Sequence, residues 1–136
     1  VNCSVKKSNV DVYFEEFLRY EKSLLITNSG ARSYYVLPIL GCDLCINENL
    51  NKLTKLPIEK RSRFSIILVG KNEQIYSELI SERMSDYTLI FDSLSLANKF
   101  QLSLGKPLMI KISQDNQYIE YRSVNDAEIE NSLNNF

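Results

Sequence analysis

The sequence predicts one α/β domain in which helices sandwich a mixed β-sheet. Three observations predict it. Short apolar runs alternate with segments of helical periodicity through the first hundred or so residues, the order that gives parallel strands with helical crossovers. The last two apolar runs flank a short polar turn and read as an antiparallel hairpin. Finally, 136 residues, 44% of them hydrophobic and 24% charged, can bury one core but leave little room for a second.

Taken in order, residues 1–9, "VNCSVKKSN", are polar and short of core residues, and read as a flexible leader to a domain spanning 10–136. From Asp11, with Asn9 or Asp11 as cap, Val12, Phe14, Phe17, Leu18, Leu24 and Leu25 recur among charged positions in a helical pattern. "TNSGARS" is a loop. "YYVLPIL", residues 34–40, is a continuous apolar run, as a strand covered on both faces requires. Pro38 has no N–H for the ladder, so a bulge or a lost bond is expected there. Ile46, Leu50, Leu53 and Leu56 then mark a helix from Cys42 or Asp43 to Leu56, with Pro57 just past its end. "EKRSR", residues 59–63, reads as a solvated loop.

"RFSIILVG", residues 63–70, is the clearest strand. "NEQIYSELISERM" places Ile75, Leu79 and Ile80 on one helical face. "YTLIFD", residues 87–92, is a strand, and "SLSLANKFQL" a short helix capped by Ser93 or Ser95. "KPLMIKIS" and "QYIEYRS" form the hairpin around "QDNQ". Within it, Tyr118 and Tyr121, like Tyr34 and Tyr35 earlier, read as strand residues rather than a binding platform. "VNDAEIENSLNNF" forms a last short helix.

Composition narrows the function classes. Sixteen basic against 17 acidic residues leave a net charge of −1, which argues against nucleic acid as a partner. No apolar stretch is long enough to cross a bilayer. The chain has no histidine. That removes the usual general base of serine and cysteine hydrolases and the commonest nitrogen ligand for zinc or copper. No cofactor and no metal are expected.

Of the three cysteines, Cys42 and Cys45 stand in "GCDLC", where a strand gives way to a helix. A thiol at a helix N-terminus is favoured as thiolate by the helix dipole and the unpaired backbone N–H groups. A second thiol three positions on lies one turn along, on the same side, within reach of the first. A redox pair, half of a zinc site shared between two copies, and two small buried residues are the readings open to it.

With "YYVLPILGCDLC", "RFSIILVG", "YTLIFDSLSLANKFQL", "GKPLMIKIS" and "QYIEYR", residues 33–122 resemble the thioredoxin-like superfamily. The nearest branch is the TlpA/ResA-like thiol-disulfide oxidoreductases of the bacterial envelope. The resemblance implies a thioredoxin-like mixed sheet, with Cys42 as the attacking thiol and Cys45 as the resolving one. It implies a cis peptide before Pro107, next to the cysteine pair, and a substrate contact through the backbone of Lys106. The partners it implies are protein thiols or disulfides. Two departures bear on substrate and redox potential. Gly41 stands where the family usually has an aromatic residue, and Asp43 and Leu44 separate the cysteines. A carboxylate beside the reactive sulfur disfavours the thiolate. A non-catalytic binding or structural module on the same fold is the rival these departures favour. A peroxiredoxin-like peroxidase is a weaker third, because no Thr-x-x-Cys pattern surrounds Cys42. Cys3, followed by "SVKKSN", resembles the lipid-modified first residue and tether of a bacterial lipoprotein. A lipid anchor there would be the chain's one route to a membrane, and would place it in the periplasm or on the cell envelope.

Overall fold

The computed structural model describes residues 8–26, 30–39, 43–71, 84–100, 102, 104–116, 118–124 and 129–135. Within them a five-stranded sheet runs in the order β3-β2-β1-β4-β5. Its strands are β1 (Arg32–Pro38), β2 (Ser65–Val69), β3 (Thr88–Asp92), β4 (Leu108–Ile112) and β5 (Tyr118–Ser123). The helices are α1 (Ser8–Ser23), α2 (Asp43–Lys55), α3 (Ile58–Arg61) and α4 (Ile129–Asn134), with a 3-10 helix at Leu96–Phe100. None of these helices is long and apolar enough to cross a membrane. The expected helix at residues 72–84 lies outside the described residues except for Met84, which is buried.

β1, β2 and β3 are parallel, and β4 and β5 complete the sheet antiparallel, as the alternation and the terminal hairpin predict. The period of two in β1 divides its side chains between two cores. Tyr35, Leu37 and Ile39 pack with Leu50, Leu53 and Leu56 from α2 and its end, together with Leu133 of α4. Tyr34 and Val36 pack on the opposite face with Phe14, Phe17 and Tyr20 of α1 and Ala97 of the 3-10 helix. Helices therefore cover both faces, and β1 is apolar nearly throughout for that reason.

Four local expectations change. First, α1 begins at Ser8 rather than Asp11, so part of the expected leader is helical. Second, Pro38 neither bulges β1 nor breaks its pairing with β2, where it sits opposite Val69. Ile39 N–H donates to the Val69 carbonyl at 2.9 Å, so the nitrogen of Pro38 points the other way, toward β4. Pairing between β1 and β4 has already ended at Val36 and Leu108, and no ladder bond is lost.

Third, "EKRSR" is a solvated loop only in part: Glu59, Ser62 and Arg63 are exposed, but the stretch opens in a helix and buries one arginine. Residues 58–61 form α3, and Arg61 is buried. Its Nε donates to the Leu56 carbonyl at 3.1 Å and its guanidinium to the Thr54 carbonyl at 2.6 Å. The guanidinium also lies 3.5 Å from the Asp86 carboxylate and 5.3 Å from the Tyr87 ring centre. The Tyr87 hydroxyl donates to the Leu53 carbonyl at 2.5 Å. Arg61 and Tyr87 thus satisfy carbonyls at the C-terminus of α2, the helix end where a cation is favourable.

Fourth, the 3-10 helix is capped by Asp92, not by Ser93 or Ser95. Asp92 accepts from Leu96 N–H at 2.7 Å and Ala97 N–H at 3.0 Å, while Ser95 takes a positive φ of 53° within the turn. A buried carboxylate outcompetes a serine hydroxyl here because it accepts two backbone N–H groups at once, through charge-assisted bonds.

Tyrosines seal both cores, and their ionisation sets an alkaline limit. Burial pushes the Tyr13 phenol up to about 12, with a further push from Tyr121, whose ring stacks on it at 4.5 Å. Burial likewise pushes Tyr87 up to about 12 and raises Tyr20 and Tyr34 further. In the unfolded chain these phenols titrate near 10. The neutral form is the one the fold prefers, so its contribution is whole below about pH 10 and is lost as pH rises toward the folded-state values. Phenolate absorbance should therefore rise together with loss of far-ultraviolet circular dichroism, in one cooperative step above about pH 10. Full tyrosine ionisation with intact dichroism would contradict the burial argument.

Candidate functional site

In an open sheet with parallel strands, chemistry collects outside the carboxyl ends of those strands. Pro38, Val69 and Asp92 form that edge, in register across β1, β2 and β3. α2 starts at Asp43, shortly after Pro38, so its N-terminus belongs to the same end of the sheet. β4 runs the other way and therefore enters there: Leu108 pairs with Val36, and Pro107 is the residue before it. Pro38 and the start of α2 thus share this end of the sheet with residues 105–108, far away in sequence.

Pro107 is buried, and its carbonyl accepts the Val124 N–H at 2.8 Å, so β4's attachment to β5 already begins at the proline. Lys106 and Gly105 before it are exposed. A Cβ added at Gly105 would meet nothing within 4 Å, so the turn ahead of the proline is open on its outer side. No peptide bond among the described residues is cis, and the expectation of a cis Lys106–Pro107 bond is corrected accordingly. Gly105 and Lys106 form a bend, and the chain needs no cis bond to enter β4 from it.

Cys3, Gly41 and Cys42 lie outside the described residues. Cys45 falls in the first turn of α2, but its side chain is likewise outside them. The rest of α2 is held firmly. Asn49 is buried and accepts a hydrogen bond from the Tyr35 hydroxyl of β1. Leu50 and Leu53 enter the core, and Arg61 with Tyr87 ties down the last turn. A helix fixed in this way presents its N-terminal N–H groups and dipole in a set direction, which is what lowering a thiol pKa there requires.

The other fixed point at this end is Asp92, 1% exposed. Besides capping the 3-10 helix it accepts the Tyr20 hydroxyl of α1 at 2.8 Å. Its carbonyl accepts Gly70 N–H at 2.9 Å, at the end of β2, and Ser95 N–H at 3.1 Å. Sequence reading took Asp92 only as a strand end. The available signal was only an acidic residue shortly ahead of the helical segment, since Asp, like Ser, is a favoured acceptor for the free N–H groups at a helix start.

No family model matches this chain, and no curated protein sequence does. Solved structures do. StoA from Bacillus subtilis has a TM-score of 0.48 at 10% identity, covering 79% of this chain and 84% of that one. The exposed lipoprotein thioredoxin of Streptococcus pneumoniae has a TM-score of 0.49 at 8% identity, covering 83% and 90%. A secreted disulfide oxidoreductase of Mycobacterium tuberculosis, homologous to E. coli DsbE, has a TM-score of 0.50 at 9% identity, covering 80% of this chain and 84% of that one. With the strand order and the two helical layers described above, this last likeness shows that the chain has the thioredoxin-like α/β fold.

Proposed function

We propose that this domain is a thiol-disulfide oxidoreductase that exchanges a Cys42–Cys45 dithiol/disulfide with partner proteins. The observation that carries the reading is the start of α2 at Asp43, directly after Cys42 in sequence, at the carboxyl edge of the parallel strands. The Cys42 thiolate attacks one sulfur of a partner disulfide. A Cys42–partner bond forms, the partner's S–S bond breaks, and the first partner sulfur leaves as thiolate. Cys45, deprotonated, then attacks the Cys42 sulfur and expels the second partner thiolate. The partner gains two electrons and takes up two protons, and the pair is left as a disulfide. Lys106 and Pro107 line the edge from which the partner polypeptide approaches, with Lys106 contacting it through its backbone, and Gly41 keeps that approach uncrowded.

The work belongs outside the cytoplasm. The secreted character of the Mycobacterium tuberculosis protein similar in structure supports an extracytoplasmic setting. Cys3, as the lipid-bearing residue ahead of α1, would tether the domain to the envelope surface. Gly41 and Asp43 favour a second reading, a binding module that keeps the fold without the chemistry.

Titration of the Cys42–Cys45 couple against defined redox buffers separates the two. The oxidoreductase reading expects a reversible loss of two thiols, with a potential between about −270 mV for a reductant and about −120 mV for an oxidant. A thiol count that does not change with redox buffer leaves only the binding module.

A further inference from the structure

Asp92 serves more than the cap it makes. The segment from Asp92 to Pro107 crosses from the β3 edge, over the α1 face, to β4 on the far side of β1. The structure describes three places where it is held. Asp92 fixes its start through Tyr20, Leu96 and Ala97. The Leu102 carbonyl accepts the Tyr13 hydroxyl at 2.8 Å. The Pro107 carbonyl accepts Val124 N–H. Between the last two points stand Gly105 and Lys106, exposed on the open side of the bend. Lys106 and Pro107 stand at the end of a segment held at these points, and its first anchor is one buried carboxylate with three donors, two on the segment and one on α1.

We propose that Asp92 is a positioning residue for polypeptide substrates: it holds the crossing segment so that the Lys106–Pro107 edge meets a partner chain beside the cysteine pair. This rests on the oxidoreductase reading. Asp92 touches neither sulfur nor substrate. It acts through the backbone it anchors, so it should affect large substrates that use the edge and spare small ones that do not.

The test compares Asp92→Asn with the natural protein on two substrates, well below the melting temperature of each. One substrate is a disulfide-bonded polypeptide and the other a small aromatic disulfide. Asparagine keeps the size but cannot accept from all three donors and lacks the charge. Exchange with the polypeptide should fall about tenfold while the small disulfide reacts at the natural rate, because misplacing a docking edge by a fraction of an ångström weakens productive orientation. Tyr20→Phe removes one donor and leaves both backbone caps, and should give a smaller split of the same sign. It also serves if Asp92→Asn does not fold. Equal falls on both substrates, or no fall on either, would make Asp92 merely structural and overturn the proposal. Failure of the natural protein to exchange with either substrate would instead overturn the oxidoreductase reading itself.

Discussion

Cys42→Ser should reduce disulfide exchange to the uncatalysed background, whereas Cys45→Ser should accumulate covalent adducts with partner proteins. The difference follows from the order of the two attacks. On the proposed mechanism Cys42 opens the partner disulfide, so its replacement removes that step. Without Cys45 the first attack still occurs, but nothing one turn along resolves the mixed disulfide, and it persists until a reductant is added. Extracts of the native source treated with each variant, run without reductant and then with it, check this directly. Adducts from Cys45→Ser that vanish on reduction, with none from Cys42→Ser, are the expected result. Equal adducts from both would point to Cys3 and require the pair to be repeated in a Cys3→Ser background. Absence of adducts under every redox condition would sink the chemistry and leave a thioredoxin-like binding module.

What could be read from the sequence was what burial dictates. "SIILV" had to be covered on both faces, and β2 is. Leu50, Leu53 and Leu56 demanded a helix lying on the sheet, and α2 with the residue just past its end puts all three in one core. The polar turn between the last two runs required an antiparallel hairpin, and Asn116 takes the positive φ, 60°, that such a turn needs. What could not be read was the partner each buried polar group would find. Arg61 sits in a run of charges that looks solvated. Only the fold reveals that carbonyls at the end of α2 wait beside it. Asp92 reads as the end of a strand until Tyr20, 72 positions away in sequence, is brought to it. The candidate site divides along the same line. Cys42 and Cys45 were visible as a motif, and the edge formed by Pro38, Val69, Asp92 and Pro107 only as a consequence of register. The cis bond before Pro107 came from resemblance alone, and the geometry of this chain does not adopt it.

Glu21→Gln should cost the domain about 3–5 kcal/mol, the penalty for leaving a buried ion without its counter-ion. Glu21 and Arg32 have side chains only 7% and 5% exposed, and the guanidinium meets the carboxylate through Nε at 2.5 Å and a terminal nitrogen at 2.6 Å. The Tyr34 hydroxyl donates to the same carboxylate, while Arg32 also donates to the Gly30 carbonyl and to Asn116 Oδ1, each at 2.9 Å. One cation thereby ties α1 to the start of β1 and to the β4–β5 turn, and the Glu21 carboxylate holds it charged above its ordinary range. Glutamine offers a single acceptor oxygen to three donors and strands the charge. The expected fall in melting temperature is roughly 10–20 °C for a domain of this size. The surface pair Glu16–Arg19, at 3.5 Å with Arg19 exposed and Glu16 half-buried, is the control: Glu16→Gln should move stability by no more than about 1 kcal/mol. Replacing both buried ions, as Glu21→Leu with Arg32→Met, should restore part of the loss because no lone charge remains, yet not all of it, since Tyr34 and Asn116 lose their partner. This network stands at the end of β1 remote from α2's first turn. Disulfide exchange by Glu21→Gln, measured well below its lowered melting temperature, should therefore match the natural protein; a loss of exchange in the folded variant would show that the two ends of the sheet are coupled.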